Sequence, residues 1–200
     1  MFSPLTKQLI DALRVLPGIG PKSAQRMAYQ LLSDKGRVKA QTLSTALQEA
    51  IQAVKHCTRC RQFTEHPLCD ICNNTKRDAT LLCVVETPSD VIALEQTHAF
   101  KGIYFILHGH LSPLDGISPN DLGIPLLLER LQNEMIREVI LATNPTVEGK
   151  ATAQYISHHL DAKKIVCSRI AHGVPIGGEL EYLDSSTLSH AFYSRFAFNE

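Results

Sequence analysis

The segment Val139-Ile-Leu-Ala-Thr-Asn-Pro-Thr-Val-Glu-Gly-Lys150 decides how this chain is read. Val139 to Ala142 is a short apolar run that reads as a strand, and Ala151, Ala153, Ile156 and Leu160 then recur at helical spacing. A strand passing into a helix through a brief polar turn places that turn at the carboxyl edge of a sheet, where open α/β folds keep their sites. The turn offers the neutral side chains of Asn144 and Thr146, one carboxylate at Glu148 and a glycine at Gly149.

Upstream, Leu81-Leu-Cys-Val-Val85 is continuously apolar, as a strand buried on both faces should be. It ends in Glu86, followed by Thr87-Pro88-Ser89-Asp90 and a helical pattern in Val91, Ile92, Leu94 and His98. Ile103–Leu107 and Lys164–Ser168 read as two more strands. Strands alternating with helices predict right-handed crossovers and a parallel sheet over residues 78–175. Cys83 and Cys167, inside strands, read as small core residues.

This order resembles the Toprim fold of type IA topoisomerases, bacterial primases and related nucleases. The resemblance rests on a glutamate closing the first strand, here Glu86, and on a second signature of roughly Asp-x-Asp-x-x-Gly with a Glu before the Gly. It implies a general acid/base role at the Glu86 position and a magnesium site in active members. Here Asn144 and Thr146 stand at the two aspartate positions, while Glu148-Gly149 remain. Hard Mg²⁺ prefers carboxylate oxygens and water. With only Glu86 and Glu148 left, magnesium-dependent phosphoryl transfer is expected to be weakened or absent and the site vestigial. The competing reading of both glutamates is a helix-start carboxylate favoured by the dipole. The stretch 107–123 is rich in turn residues and too long for a mere connector, which marks a functional loop. His108, His110 and Asp115 within it suggest a second metal site only weakly, and surface histidines are the commoner case.

Before this region, Cys57-Thr-Arg-Cys60 and Cys69-Asp-Ile-Cys72 form two C-x-x-C knuckles eight residues apart. Four thiolates at this spacing suit one closed tetrahedral Zn²⁺, structural rather than catalytic. A redox pair would not explain the second knuckle, and disulfides conflict with a reducing compartment. His56 and His66 read as surface neighbours. Lys55, Arg59, Arg61, Lys76 and Arg77 flank the knuckles and could add phosphate contacts, though the metal's first task is to pin a segment too short for its own core.

At the front, Ser3-Pro4 is a helix start, with Leu5, Leu9, Ile10, Leu13 and Leu16 at helical spacing. Pro17-Gly-Ile-Gly-Pro21 stops that helix. A second follows with Ala24, Met27, Ala28 and Leu31 on one face, ending near Ser33–Gly36. A third is predicted from Val38 to Lys55, with Leu43, Leu47, Ala50 and Val54 as its apolar stripe. Two helices joined by Pro-Gly-Ile-Gly resemble the helix-hairpin-helix of DNA repair proteins. Glycines let a backbone approach, and N–H groups at a helix start face an anion. Lys22 and Arg26 lie one turn apart on one face and can reach one DNA backbone, holding it without reading bases. A hairpin used only for packing or dimerisation is the competing reading.

The chain has 200 residues, 44% of them apolar, and a formal net charge of zero. Residues 1–80 hold 12 Lys/Arg against 6 Asp/Glu, and residues 81–200 hold 8 against 14. The basic front half points to a polyanion. The acidic back half tells against a DNA-coating protein and suits protein docking. No apolar run reaches membrane-span length and the start lacks a signal-peptide build, so the expected location is cytoplasmic; the resemblance to DNA repair proteins implies the nucleoid during repair. Residues 168–200 hold a glycine-bearing loop, a short extended run and a last helix capped by Asp184 or Ser185, with Leu188, Ala191 and Phe192 facing one way. Gly173-Val-Pro-Ile-Gly-Gly178 is not followed by Gly-Lys-Ser/Thr, so it is no phosphate loop.

The expected fold class is thus an α+β chain of several parts: a helix-hairpin-helix module (1–55), a small four-cysteine zinc finger (56–77), an α/β Toprim domain (78–175) and a short tail (176–200). That order, with His110-Leu-Ser-Pro-Leu-Asp-Gly116 in the insertion and Ala171-His-Gly-Val-Pro-Ile-Gly-Gly-Glu-Leu-Glu-Tyr182 in the tail, resembles the RecR family of bacterial recombination mediators. The resemblance implies a non-enzymatic DNA-binding clamp of the RecF–RecO–RecR repair pathway. It implies ring-like homo-oligomers, partners RecO and RecF, help in loading RecA on gaps coated by single-strand-binding protein, and a tail likened to a Walker B strand. The alternative readings are a Toprim nuclease or primase-like enzyme using Glu86 and Glu148, and an RNA-binding zinc protein.

Overall fold

The computed structural model describes residues 2–160, 165–171 and 173–195. Lys164, the expected start of the last strand, and His172 of the tail lie outside them. The chain forms two compact units, Met1–Val54 and Lys55–Glu200.

The first unit holds α1 (Pro4–Leu13), α2 (Pro21–Leu32) and α3 (Arg37–Ala53). Ser3 caps α1, its hydroxyl accepting from the Thr6 N–H at 3.2 Å, and Pro4 occupies the first turn. Ile10, Ala24 and Ala28 form a small core, with Leu9, Leu13 and Ile19 packed on it. The third helix departs from expectation. It starts at Arg37 and ends at Ala53, and among the described residues none of it is buried. Leu43 and Leu47, expected to pack, are 54% and 58% exposed. The α1–α2 core is too small to supply a second layer over them.

In the second unit a two-strand hairpin, β1 (Lys55–His56) and β2 (Phe63–Thr64), frames the first knuckle, and a helical turn α4 (Asp70–Asn73) carries the second. A parallel sheet follows, built from β3 (Leu81–Val85), β4 (Ile103–Ile106), β5 (Glu138–Ala142) and β6 (Val166–Arg169) in the order β4-β3-β5-β6. The last strand runs later than its sequence reading, ending at Arg169. Helices α5 (Pro88–Gln96), α6 (Ile124–Asn133) and α7 (Val147–Leu160) make the crossovers. Successive side chains of β3 go to opposite faces. Leu82 and Val84 join Phe105, Leu127, Leu141 and Ile156, while Cys83 and Val85 join Val91, Tyr104 and Ile106. Both Cys83 and Cys167 pack in these layers, Cys167 only partly buried.

The register matters for function. Val85 lies opposite Ile106 on one side and Ala142 on the other. Glu86, Leu107 and Thr143-Asn144 therefore leave the sheet together at one carboxyl edge. The tail forms a 3₁₀ turn at Leu180–Tyr182, not an extended run, and α8 (Ser185–Tyr193). Asp184 caps α8, accepting from the N–H groups of Ser186 and Thr187 at 3.0 and 2.9 Å. The expected inward face of α8 is not closed over: none of its residues is buried, and Phe192 is 75% exposed.

Candidate functional site

The four knuckle cysteines meet. Their Sγ atoms all lie within 4.8 Å of one another, every one of them buried, and among the described residues no other group of three or more His, Cys, Asp or Glu side chains is so placed. A tetrahedral zinc with Zn–S near 2.3 Å needs sulfurs about 3.8 Å apart, and Cys60 Sγ to Cys69 Sγ is 3.4 Å. Backbone N–H groups point at the sulfurs: Cys69 N–H donates to Cys57 Sγ and Gln62 N–H to Cys60 Sγ, both at 3.4 Å. Burial pushes the Cys57 thiol up, but the N–H groups of Cys60, Cys69 and Arg59 outweigh it and bring it down to about 7. Contact with Cys72 and burial push Cys60 up, and burial drives Cys69 up to about 11. One thiolate forms readily and opposes the next, and a divalent cation at the centre removes that conflict. The donor set fits a closed four-thiolate metal site. His56 and His66 are exposed and stand outside the group.

The basic residues around the knuckles divide in two. Arg59 donates through Nε and Nη2 to both oxygens of Glu134, at 2.9 and 3.0 Å, and this bidentate pair holds Glu134 below the usual carboxylate range despite burial. Arg61 donates to the carbonyls of Ile106, Leu107 and Leu122. Arg77 donates to Gly102 O at 2.8 Å and pairs with Glu95. These three guanidiniums, read as phosphate contacts, are engaged inside the unit, whereas Lys55 and Lys76 stay exposed. Sequence spacing could not reveal their partners, which lie 18 to 75 residues away.

At the Toprim-like edge Glu86 is only 3% exposed, yet its carboxylate is satisfied. Oε1 accepts from the Asn144 N–H at 2.8 Å and Oε2 from Asn144 Nδ2 at 2.7 Å. His110 Nδ1 lies 3.5 Å from Oε2. Asn144 thus holds both carboxylate oxygens from one residue, backbone and side chain together. Gly149 is required here, because a Cβ would sit 2.7 Å from Glu86 Oε1 and 2.2 Å from Asn144 O. Thr146 accepts through Oγ1 from the Gly149 N–H at 3.0 Å, acting as a cap for the start of α7. Glu148 is exposed and its side chain has no hydrogen bond or ion pair among the described residues. Of the four residues expected at this site, Glu86 and Asn144 are brought together, Thr146 closes the turn and Glu148 stands apart. Sequence reasoning missed His110 beside Glu86 and Arg169, which donates to Asn144 O at 3.3 Å. No local pattern signals either.

The insertion carries no second metal cluster among the described residues. His108 Nε2 bonds Arg61 O at 2.7 Å and its ring stacks on His56, centroids 4.6 Å apart. Asp115 accepts from the Ser112 hydroxyl at 2.6 Å in a local turn. Leu111 N–H donates to Thr152 Oγ1, tying the insertion to α7.

In the first unit Lys22 and Arg26 stand at the start of α2 and carry no ion pair among the described residues. The α2 N-cap is Gly20, with no side chain capping the first turn. Gly18 has φ 76°, and a Cβ added at Gly18 or Gly20 would meet nothing within 4 Å. The turn and the first N–H groups of α2 are therefore open to approach from outside.

Comparison with known proteins accounts for nearly the whole chain. A family model described as RecR, helix-hairpin-helix matches residues 6–51, one for the Toprim domain matches 80–171, and one described as RecR, C-terminal matches 173–195. Recombination protein RecR of Coxiella burnetii is 67% identical over 195 residues, covering 98% of this chain and 97% of that protein. Recombination protein RecR of Saccharophagus degradans is 56% identical over 195 residues, covering 98% of each.

Proposed function

The chain belongs to the RecR family of recombination proteins, and from that premise we propose that it is a non-catalytic DNA-binding clamp and adaptor of recombinational repair. The observation that carries the reading is the Glu86–Asn144 pair. Both oxygens of Glu86 already accept from Asn144, and among the described residues neither Glu86 nor Glu148 belongs to a group of three or more side chains placed to hold a metal, so the carboxylate cluster that Mg²⁺ prefers is not assembled. Glu86, Asn144, Thr146 and Glu148 form a vestigial Toprim site, kept for structure and docking.

Cys57, Cys60, Cys69 and Cys72 hold one structural Zn²⁺ with no open coordination position. Lys22 and Arg26 grip the DNA backbone beside the uncapped start of α2, where the N–H groups and helix dipole favour phosphate. The chain divides functionally into a DNA-binding hairpin (1–55), the finger (56–77), the Toprim domain (78–175) and a tail (176–200). Exposed Met27, Leu43, Leu47 and Ile51 in the helical unit, and Ile176, Leu180 and Phe192 in the tail, support assembly with further copies into a ring. Among the described residues no helix is long and apolar enough to cross a membrane. The working place is the cytoplasm at gapped DNA, with RecO and RecF as partners and RecA loading as the outcome.

The test is fluorescence anisotropy on gapped duplex DNA. Lys22→Ala with Arg26→Ala should weaken binding at every sequence and lower the log–log salt slope by about 0.9 for each phosphate that is no longer neutralised, leaving the melting temperature unchanged. Unaltered binding would move DNA to another surface. Magnesium-dependent strand cleavage abolished by Glu86→Gln would overturn the non-catalytic reading.

A further inference from the structure

The two candidate sites of the second unit are joined through three consecutive carbonyls of the first knuckle. Arg59 O accepts from Arg130 Nη1 at 2.8 Å, Cys60 O from the Ile106 N–H at 2.9 Å, and Arg61 O from His108 Nε2 at 2.7 Å. All three donors come from the Toprim domain. The traffic also runs back, since Arg61 donates to Ile106 O, Leu107 O and Leu122 O. Arg130 completes the clasp from α6, donating to Tyr104 O at 2.9 Å and to Glu134, which in turn holds Arg59.

Two backbone positions show how tightly this contact is set. Arg61 and His108 have φ of 68° and 60°, the left-handed region that side chains rarely adopt. These two residues hydrogen-bond each other. Such conformations persist only when their surroundings over-determine them: here the His108 ring holds the Arg61 carbonyl, and the Arg61 guanidinium holds the carbonyls of Ile106 and Leu107 just before His108. Beyond His108 the path reaches the carboxylate edge within two residues. Gly109 N–H donates to Glu86 O at 3.0 Å, and His110 Nδ1 stands 3.5 Å from Glu86 Oε2.

We infer that the cysteine knuckle positions the Toprim-edge loop: metal held by Cys57 and Cys60 sets the 57–61 turn, and Arg61 transmits that setting, through its guanidinium on Ile106 O and Leu107 O and its carbonyl on His108, to the Gly109-His110 segment beside Glu86. Arg61 and His108 are positioning residues, acting on the edge through the loop. The inference rests on the knuckle holding zinc, as proposed above. It goes further in making the loop at the carboxylate edge answer to the state of the knuckle.

Hydrogen exchange with mass spectrometry on the full chain tests it, with zinc content measured on each sample. Arg61→Ala, still holding one zinc per chain, should raise exchange at residues 106–111 about tenfold or more while α7 and β5 keep their protection. His108→Ala should do the same over a shorter stretch, and serves if Arg61→Ala fails to fold. Stripping zinc from the unsubstituted protein should release residues 57–61 and 106–111 together. Zinc-loaded Arg61→Ala and His108→Ala that both leave residues 106–111 protected would overturn the inference and leave the zinc reading intact. A purified chain with no zinc would overturn the zinc reading, while the same two variants still decide whether the contact holds the loop.

Discussion

The knuckle and the Toprim-like edge are both buried polar clusters, and they solve the same problem in opposite ways. At the knuckle four thiols converge among backbone N–H groups, with Arg59 close enough to feel Cys57 and Cys72, and their proton affinities are driven apart. That cluster is a candidate site for a cation from outside. At the edge one carboxylate is buried as deeply, but Asn144 supplies two N–H donors, so the cluster is complete within the chain. A buried charge must be paired or hydrogen-bonded to be tolerated. The difference teaches that ligand-type residues do not make a metal site unless their charge is left unanswered by the protein.

The largest effect that could break this comparison is at the knuckle. Structural zinc contributes an apparent ~10–16 kcal/mol at neutral pH, more than most domains have in total stability. Cys60→Ser, or a zinc chelator on the unsubstituted chain, should abolish cooperative unfolding of the second unit, read by circular dichroism against temperature. Loss of DNA binding should follow the loss of fold and not precede it. A metal-free chain with a native melting curve would put the knuckle in the same class as the edge.

The next effect sharpens the edge. Asn144→Asp keeps size and shape but removes the Nδ2–H donor and sets a second carboxylate against Glu86. Leaving a buried acceptor unanswered costs about 1–3 kcal/mol, and like-charge repulsion adds to it. Urea titration should show that loss, and millimolar Mg²⁺ should restore part of it, because two carboxylates now face one cation position. The unsubstituted chain should not respond to Mg²⁺. An equal Mg²⁺ response in both would mean that the amide does not close the site.

The contrast also marks what the sequence could show. The knuckle was legible because its cysteines are local: two C-x-x-C units read as one cluster by spacing, and the four sulfurs do converge. The sheet was legible because Leu81–Val85 is apolar without a break, as burial on both faces demands. At the edge the sequence showed which carboxylates were missing. It could not show that Asn144 would turn back onto Glu86, 58 residues away. The same blindness to tertiary partners left open whether Arg59, Arg61 and Arg77 meet phosphate, since a guanidinium in a basic stretch looks alike whether it meets DNA, a carboxylate or a carbonyl. In α3 the apolar period was right for a helix, but Leu43 and Leu47 find no cover in their own unit. Periodicity reports a face to be buried and not what buries it.

The smallest effect concerns the link between the two clusters, and it is a pH dependence. His108 has its pKa lowered from the ordinary 6.5, chiefly because burial disfavours its charged form, with His56 and Arg61 adding repulsion and the Arg61 carbonyl opposing. A base whose folded pKa is depressed binds its proton more readily in the unfolded chain. Its contribution to stability is therefore complete above about pH 6.5 and declines as pH falls toward the lowered folded value. The groups facing it are the His56 ring, the Arg61 carbonyl and guanidinium, and the Phe63 ring. Urea midpoints at about pH 8 and about pH 5.5 should differ, and the difference should shrink in His108→Gln, which keeps a donor for Arg61 O but cannot titrate. The shrinkage should be smaller than either effect above, because the imidazole is only half-buried. If His108→Gln keeps the full pH difference, the acid-sensitive group is not at the clasp.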